Sequence, residues 1–166
     1  MSIEIRFVTR EEANKAVAAW HSHHKPVKID ILRCGAFIDD ALVGVAIGAL
    51  PVAPALAKGL RTIELVRVAT RGGDRNVASK LIGAVWASAK ALGFTRGVSY
   101  TRIDELGTSY KAAGWAAVAR VKGEAWVRGN HNVWLPGMHV PQTEVIDRIR
   151  WEVGLAAATT RVEWKT

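Results

Sequence analysis

The residues best suited to chemistry run from Glu64 to Ile82: Glu64-Leu65-Val66-Arg67-Val68-Ala69-Thr70-Arg71-Gly72-Gly73-Asp74-Arg75-Asn76-Val77-Ala78-Ser79-Lys80-Leu81-Ile82. An apolar, strand-like run gives way to a loop of glycine and arginine, and helical spacing starts at once. The free amides and dipole of a helix N-terminus form an anion site, and glycines let the backbone close on a phosphate. An ordinary strand-to-helix turn fits the same residues, and neither G-x-x-x-x-G-K-S/T nor G-x-G-x-x-G occurs here. A second group is His21, His23 and His24 beside Lys25. Three histidines so close could ligate a metal, border an acceptor, or complement the dipole at a solvated helix end. No C-x-x-C or H-E-x-x-H accompanies them, and no metal is expected. A third group is Trp126, His131, Asn132, Trp134, Met138 and His139 in a late aperiodic stretch, where tryptophan suits stacking on bases.

These residues need a scaffold to position them. Ile3, Ile5 and Phe7 alternate with Glu4 and Arg6, a half-buried strand. Thr9 and Glu12 match a capping box, and Ala13, Ala16, Val17 and Trp20 make one helical face that stops before Pro26. Ile31 to Ile38 and Leu42 to Leu50 read as a hairpin about Asp39-Asp40. Pro51 to Gly59 is a loop or short helix, and Leu60 to Ala69 a further strand. Val77, Leu81, Ile82, Val85, Trp86, Ala89 and Leu92 follow helical spacing up to Gly93. Phe94 to Thr101 is a strand, Asp104 to Ala113 a short helix ended by Gly114, and Trp115 to Val121 a strand. Gly123 and Glu124 turn into Ala125 to Val127, and Gly129 to Gln142 is a long loop. Thr143 caps a last helix carrying Val145, Ile146, Ile149 and Val153. Interleaved strands and helices predict a single α/β domain, with a core over 1–128 and a C-terminal loop and helix over 129–166 packed on it.

The chain has 166 residues, 49% of them apolar and 23% charged, which is globular composition. Lys and Arg number 23 against 15 Asp and Glu, a net charge of +8. That excess draws phosphate-bearing partners: nucleic acid, an anionic membrane or a phosphorylated cofactor. A basic surface with no dedicated partner is the remaining reading. The single Cys34 cannot form an internal disulfide. The longest apolar run, Ala41 to Ala57, is broken by Gly44, Gly48, Pro51 and Pro54, unlike a membrane span. With no secretory pattern, a soluble cytoplasmic protein that spans no membrane is expected.

Strand, glycine loop, long helix, the Gly93-Phe94 strand and then Ser109-Tyr110-Lys111-Ala112-Ala113-Gly114-Trp115 form an ordered set. In that order it resembles the GNAT superfamily of acyl-CoA-dependent N-acyltransferases over roughly Ile3 to Val121. More narrowly, Arg67, Asn76, Ser79, Tyr100-Thr101 and Gly114-Trp115 resemble an uncharacterised GNAT-like family common in phages and prophages. That family has distant similarity to phage Mom-type DNA modification proteins. The resemblance implies a mixed central sheet flanked by helices, acetyl-CoA or another acyl-CoA as donor, an amine acceptor, and a homodimer through strand edges.

The superfamily's loop pattern, Gln/Arg-x-x-Gly-x-Gly/Ala, falls on Gly73 to Ala78. Asn76 stands where glycine is usual and Gly73 where a basic residue is usual, with Arg71 and Arg75 close by. Asparagine tolerates left-handed backbone better than most residues. The resemblance implies cofactor contacts from Arg71, Gly72, Gly73, Asp74, Arg75, Asn76, Val77 and Ala78. The backbone at Val66 and Val68 would hold the acyl carbonyl, an oxyanion-type role. Tyr110 matches the tyrosine whose hydroxyl faces the CoA sulfur and acts as general acid, although packing would also account for it. Glu64, which strict alternation puts on one strand face with Val66 and Val68, is the general base or a partner of Arg67. His23, His24, Tyr100 and Trp134 fall on the acceptor side. A second function is implied by one phage relative in the superfamily that modifies adenine in DNA. A third is non-catalytic nucleic-acid binding on the same fold. Arg71, Arg75, Arg96, Arg102, Arg120, Lys122 and Arg128 are the candidate phosphate-facing residues.

Overall fold

The structure, a computed structural model, describes residues 2–21, 26–57, 61–123 and 146–154. Seven strands form one sheet in the order β1-β2-β3-β4-β5-β7-β6. β1 (Glu4–Phe7), β2 (Leu32–Ile38), β3 (Ala41–Ala49) and β4 (Thr62–Thr70) run as an antiparallel meander. β5 (Arg96–Arg102) lies parallel to β4, and β7 (Arg148–Gly154) pairs antiparallel with both β5 and β6 (Ala116–Val121). The β2–β3 turn is Asp39-Asp40, both at positive φ (50° and 60°), the backbone of a two-residue hairpin turn matched to strand twist.

Helix α1 (Arg10–Trp20) begins at Thr9 with the full capping box, Thr9 and Glu12 each bonding the other's backbone amide. Its Ala13, Ala16 and Val17 pack with Val45, Ile47 and Ala69 on one face of the sheet. Helix α3 (Val77–Ala91) covers the opposite face, where Leu81, Ile82 and Val85 meet Ala46, Ile63 and Leu65. It sits close: a Cβ on Gly44 would stand 2.7 Å from a Val77 methyl, and one on Gly48 3.3 Å from Val85. Glycine on β3 is therefore what lets α3 approach. A short α2 (Pro54–Ala57) connects β3 and β4, and α4 (Thr108–Ala112) precedes β6. Among the described residues no helix is long and apolar enough to cross a membrane.

The expected last helix is corrected. Ile149 and Trp151 lie in β7, in the interior of the sheet, and their side chains join the α3-side core. The residues Arg148 to Val153 alternate polar and apolar, so they also carry the period of a strand. The gap between β5 and β6 decides the matter, because both strands need an antiparallel partner for their backbone groups. The domain is α/β with a mixed sheet flanked by helices, as expected.

Candidate active site

The ladder between β4 and β5 ends at the pair Leu65–Ser99, although β4 runs on to Thr70 and β5 to Arg102. The cause is a bulge. Ile47 pairs with Arg67 and Gly48 with Leu65, so Val66 is an extra residue with no partner on β3. A bulge bends its strand and increases its twist. Beyond Leu65, β4 therefore draws away from β5 and leaves a cleft with main chain along its wall. The Val66 carbonyl accepts from Arg67 Nη1 at 2.7 Å, and the Val68 carbonyl from His21 Nε2 at 3.0 Å. Each carbonyl oxygen has a second lone pair.

The bulge also corrects the facing of the strand. Val68 pairs with Ala46 and packs on the α3 side, whereas Arg67 pairs with Ile47 and Glu64 with Ala49 on the α1 side. Glu64 therefore shares its face with Val66 and Arg67, and Val68 lies on the other.

Glu64 is 9% exposed, and its Oε2 accepts the Val52 amide at 3.0 Å. Burial pushes its carboxyl above the usual carboxylate range, while the Val52 amide and the charges of Arg67 and Arg148 pull it back. Such a group takes up a proton closer to neutral pH than an exposed glutamate does. Arg67 is half-buried, and burial lowers its affinity for a proton against the pull of Glu64. Tyr100 stands on the same face two residues beyond Val98, the β5 partner of Glu64. Burial, and after it the negative charge of Glu64, raises its phenol above the ordinary value.

At the C-terminal end of β4 the chain enters the glycine loop. Gly72 and Gly73 have φ of 86° and 84°, and a Cβ on either would meet nothing within 4 Å, so the loop is open above both. Asn76 is the N-cap of α3 at φ 66°, the left-handed conformation that asparagine tolerates better than most residues. Its side chain makes no capping bond, and the first return bond of the helix runs from the Lys80 amide to the Asn76 carbonyl. The preceding amides of the first turn have no acceptor within the helix. Arg71 pairs with Asp74 at 2.9 Å, and Arg75 and Lys80 are exposed at the same end.

Tyr110 is buried on the α3 side, stacked on Trp151 and edge-on to Trp115. Its hydroxyl lies 2.7 Å from Ser99 Oγ, which donates in turn to the Leu65 carbonyl at 2.8 Å. The phenol thus ends on the last rung of the β4–β5 ladder. Burial pushes it up to about 12, against the Ser99 hydrogen bond, so it keeps its proton.

Glu64, Val66 and Tyr100 share one face where β4 parts from β5, Val68 and Tyr110 lie on the opposite face with Tyr110 reaching the last rung at the apex, and the loop from Arg71 to Ala78 follows the far end of β4. His23, His24 and Trp134 lie outside the described residues, as do Trp126, Arg128 and the segment 125–127. Of the candidate phosphate-facing residues, Arg96 is held by Glu152, Arg102 by Asp104 and Arg120 by Asp147. Arg75 and Lys122 remain exposed. Among the described residues no three His, Cys, Asp or Glu side chains gather as metal ligands. Sequence reasoning missed Ser99, whose importance comes only from ending the ladder, and the pair Arg150 and Glu152 on β7.

The profile of the Mom protein family matches residues 2–145. The chain belongs to the Mom protein family. No curated protein matches its sequence. Its fold is that of GNAT acetyltransferases: the Mom-family chain superposes on an IAA acetyltransferase from Bacillus cereus with a TM-score of 0.67 at 15% identity, covering 93% of this chain and 100% of the other. A Bacillus subtilis acetyltransferase solved in complex with CoA gives 0.63 at 16% identity, over 92% of this chain and 97% of that one. A GNAT-family acetyltransferase from Streptococcus pneumoniae gives 0.61 at 11%, over 93% and 99%. At these identities the likeness concerns the fold.

Proposed function

We propose that this protein transfers an acyl group from an acyl-CoA, acetyl-CoA being the simplest, to an amine. The observation that carries the reading is the parting of β4 from β5 beside an open glycine loop that enters a 15-residue helix. The residues present fit such a donor. Gly72 and Gly73 leave room above the loop, the Asn76 side chain leaves the first-turn amides uncapped, and Arg75 and Lys80 add positive charge. When bound, an acyl-CoA supplies a thioester carbonyl and a thiolate leaving group.

The chain's own contribution follows from its geometry. The amides from Gly72 to Ala78 bind diphosphate, and the main chain from Val66 to Val68 orients the acyl arm in the cleft. Glu64 accepts the proton that the amine loses on attack; its raised proton affinity brings it nearer the working pH of a general base. Tyr110 stays protonated and is the acid for the departing sulfur, with Ser99 holding its hydroxyl at the apex. Calorimetric titration with acetyl-CoA tests the donor site. Binding is expected, weakened about tenfold in Arg75→Ala, or about 1.4 kcal/mol. Wild-type protein that does not bind acetyl-CoA refutes the reading.

Membership of the Mom family, with 23 basic against 15 acidic residues, favours a second reading in which the acceptor is adenine in DNA. Mass spectrometry of nucleosides from expressing cells tests substrate and reaction together. A modified adenosine supports it, and DNA of unchanged mass sinks it. Salt-dependent DNA binding without turnover would leave a non-catalytic binding protein.

A further inference from the structure

Glu64 shares its side of the parted strands with a row of charged side chains from β5 and β7. Across the β5–β7 register Tyr100 faces Arg150 and Val98 faces Glu152. Since Val98 also pairs with Glu64, the four polar residues Glu64, Tyr100, Arg150 and Glu152 stand on one face. Glu152 is 2% exposed and is held from β5 by Arg96, whose Nη2 reaches Oε1 at 2.5 Å while Nε donates to Oε2 at 3.1 Å. Arg150 Nε approaches the same Oε1 at 2.9 Å as an ion pair. A carboxylate this buried is tolerable only between cations, and the arrangement fixes Arg150 from one side. Across the β5–β7 register its neighbour is Tyr100, which stands just past the last β4–β5 rung, where β4 bends away.

We propose that Arg150 is a positioning residue: anchored by Glu152 and Arg96, it holds the Tyr100 phenol beside Glu64, so that Tyr100 and Glu64 act as one coupled pair on the acceptor side of the cleft. The inference rests on the reading of Glu64 as the base. The charged and titratable groups facing that pair are Arg67 on β4, Arg148, Arg150 and Glu152 on β7, and Tyr100 itself on β5. The Val52 amide meets Glu64 from the β3–β4 connection, and His21, at the end of α1, bonds the adjoining Val68 carbonyl. The Glu64 charge favours the neutral phenol, whereas Arg150 favours its ionised form.

The chain has two tyrosines, so ¹³Cζ-labelled protein gives a two-line titration, assigned with Tyr110→Phe. Wild-type Tyr100 should titrate above the ordinary value. Arg150→Met should move it higher by about one pH unit, Arg150→Lys should return it toward wild type, and Glu64→Gln should lower it. Should Arg150→Met fail to fold, Arg150→Gln keeps a hydrogen-bonding group next to Glu152 and should show the same rise. An unchanged Tyr100 titration on loss of the Arg150 charge overturns the positioning role. An unchanged titration in Glu64→Gln overturns the pair. Neither cofactor nor acceptor is added, so these shifts in a protein that fails to bind acetyl-CoA would refute the transferase reading alone.

Discussion

Replacing Ser99 by alanine tests whether the apex of the cleft is held as the geometry indicates. Ser99 is 1% exposed, receives the Tyr110 hydroxyl at 2.7 Å and donates to the Leu65 carbonyl at 2.8 Å. Alanine leaves each of these two buried groups short of a partner. Each such group costs about 1–3 kcal/mol, so the expected loss is about 3 kcal/mol. In a domain of this size that corresponds to a fall in Tm of about 6–12 °C. Tyr110→Phe removes only one partner, since Ser99 keeps its bond to Leu65, and should cost about 1 kcal/mol. In the Ser99→Ala background the tyrosine hydroxyl has no bond left to lose and Phe also removes its unpaired group, so the two changes should be non-additive by about 2–3 kcal/mol. Urea unfolding of the four proteins at neutral pH, with m-values compared, measures the cycle. A Ser99→Ala protein within about 0.5 kcal/mol of wild type, or strict additivity, would refute the reasoning.

Two further outcomes follow from groups near the cleft. The Tyr110 phenol titrates near 12 in the folded chain against an ordinary value of 10, so the folded state holds that proton more tightly. Its contribution is complete below about pH 10 and is lost as pH rises toward 12, an alkaline destabilisation of about 2.7 kcal/mol by the two-unit difference. Denaturant midpoints from pH 9 to 12 should fall more steeply in wild type than in Tyr110→Phe, where Tyr100 is the one tyrosine left to titrate; equal slopes would contradict the burial of the phenol. At the N-cap of α3, Asn76→Ala must hold alanine at φ 66° and should cost about 1 kcal/mol, whereas Asn76→Gly should stay within about 0.5 kcal/mol of wild type. Thermal unfolding of both variants checks this, and an alanine variant as stable as the glycine one would count against the left-handed cap.

Where local chemistry decides, the sequence is a sufficient guide. Thr9 and Glu12 satisfy each other's amides whatever the rest of the chain does, and Asp39-Asp40 adopts the positive φ that a two-residue hairpin demands. The apolar period from Val77 to Ala89 specifies both α3 and the face it buries. Glycines and Asn76 mark a loop running straight into that helix, and the structure has it, with Gly72, Gly73 and Asn76 at the positive φ these residue types tolerate. These are interactions between residues a few positions apart, so their spacing in the chain is also their spacing in space.

Tertiary structure alone decided the rest. Ile149 and Val153 fit a helix and a strand equally well, and the unpaired edges of β5 and β6 selected the strand. Strict alternation put Glu64 with Val68, but the pairing of β3 with β4 accommodates Val66 as a bulge and turns Arg67 toward Glu64 instead. Ser99 and Arg150 carry no local signal; each matters because a strand distant in sequence ends or turns beside it. A residue's period and its neighbours' capping are properties of a short segment, whereas a bulge, a ladder's last rung and a buried charge row exist only once separate strands have met.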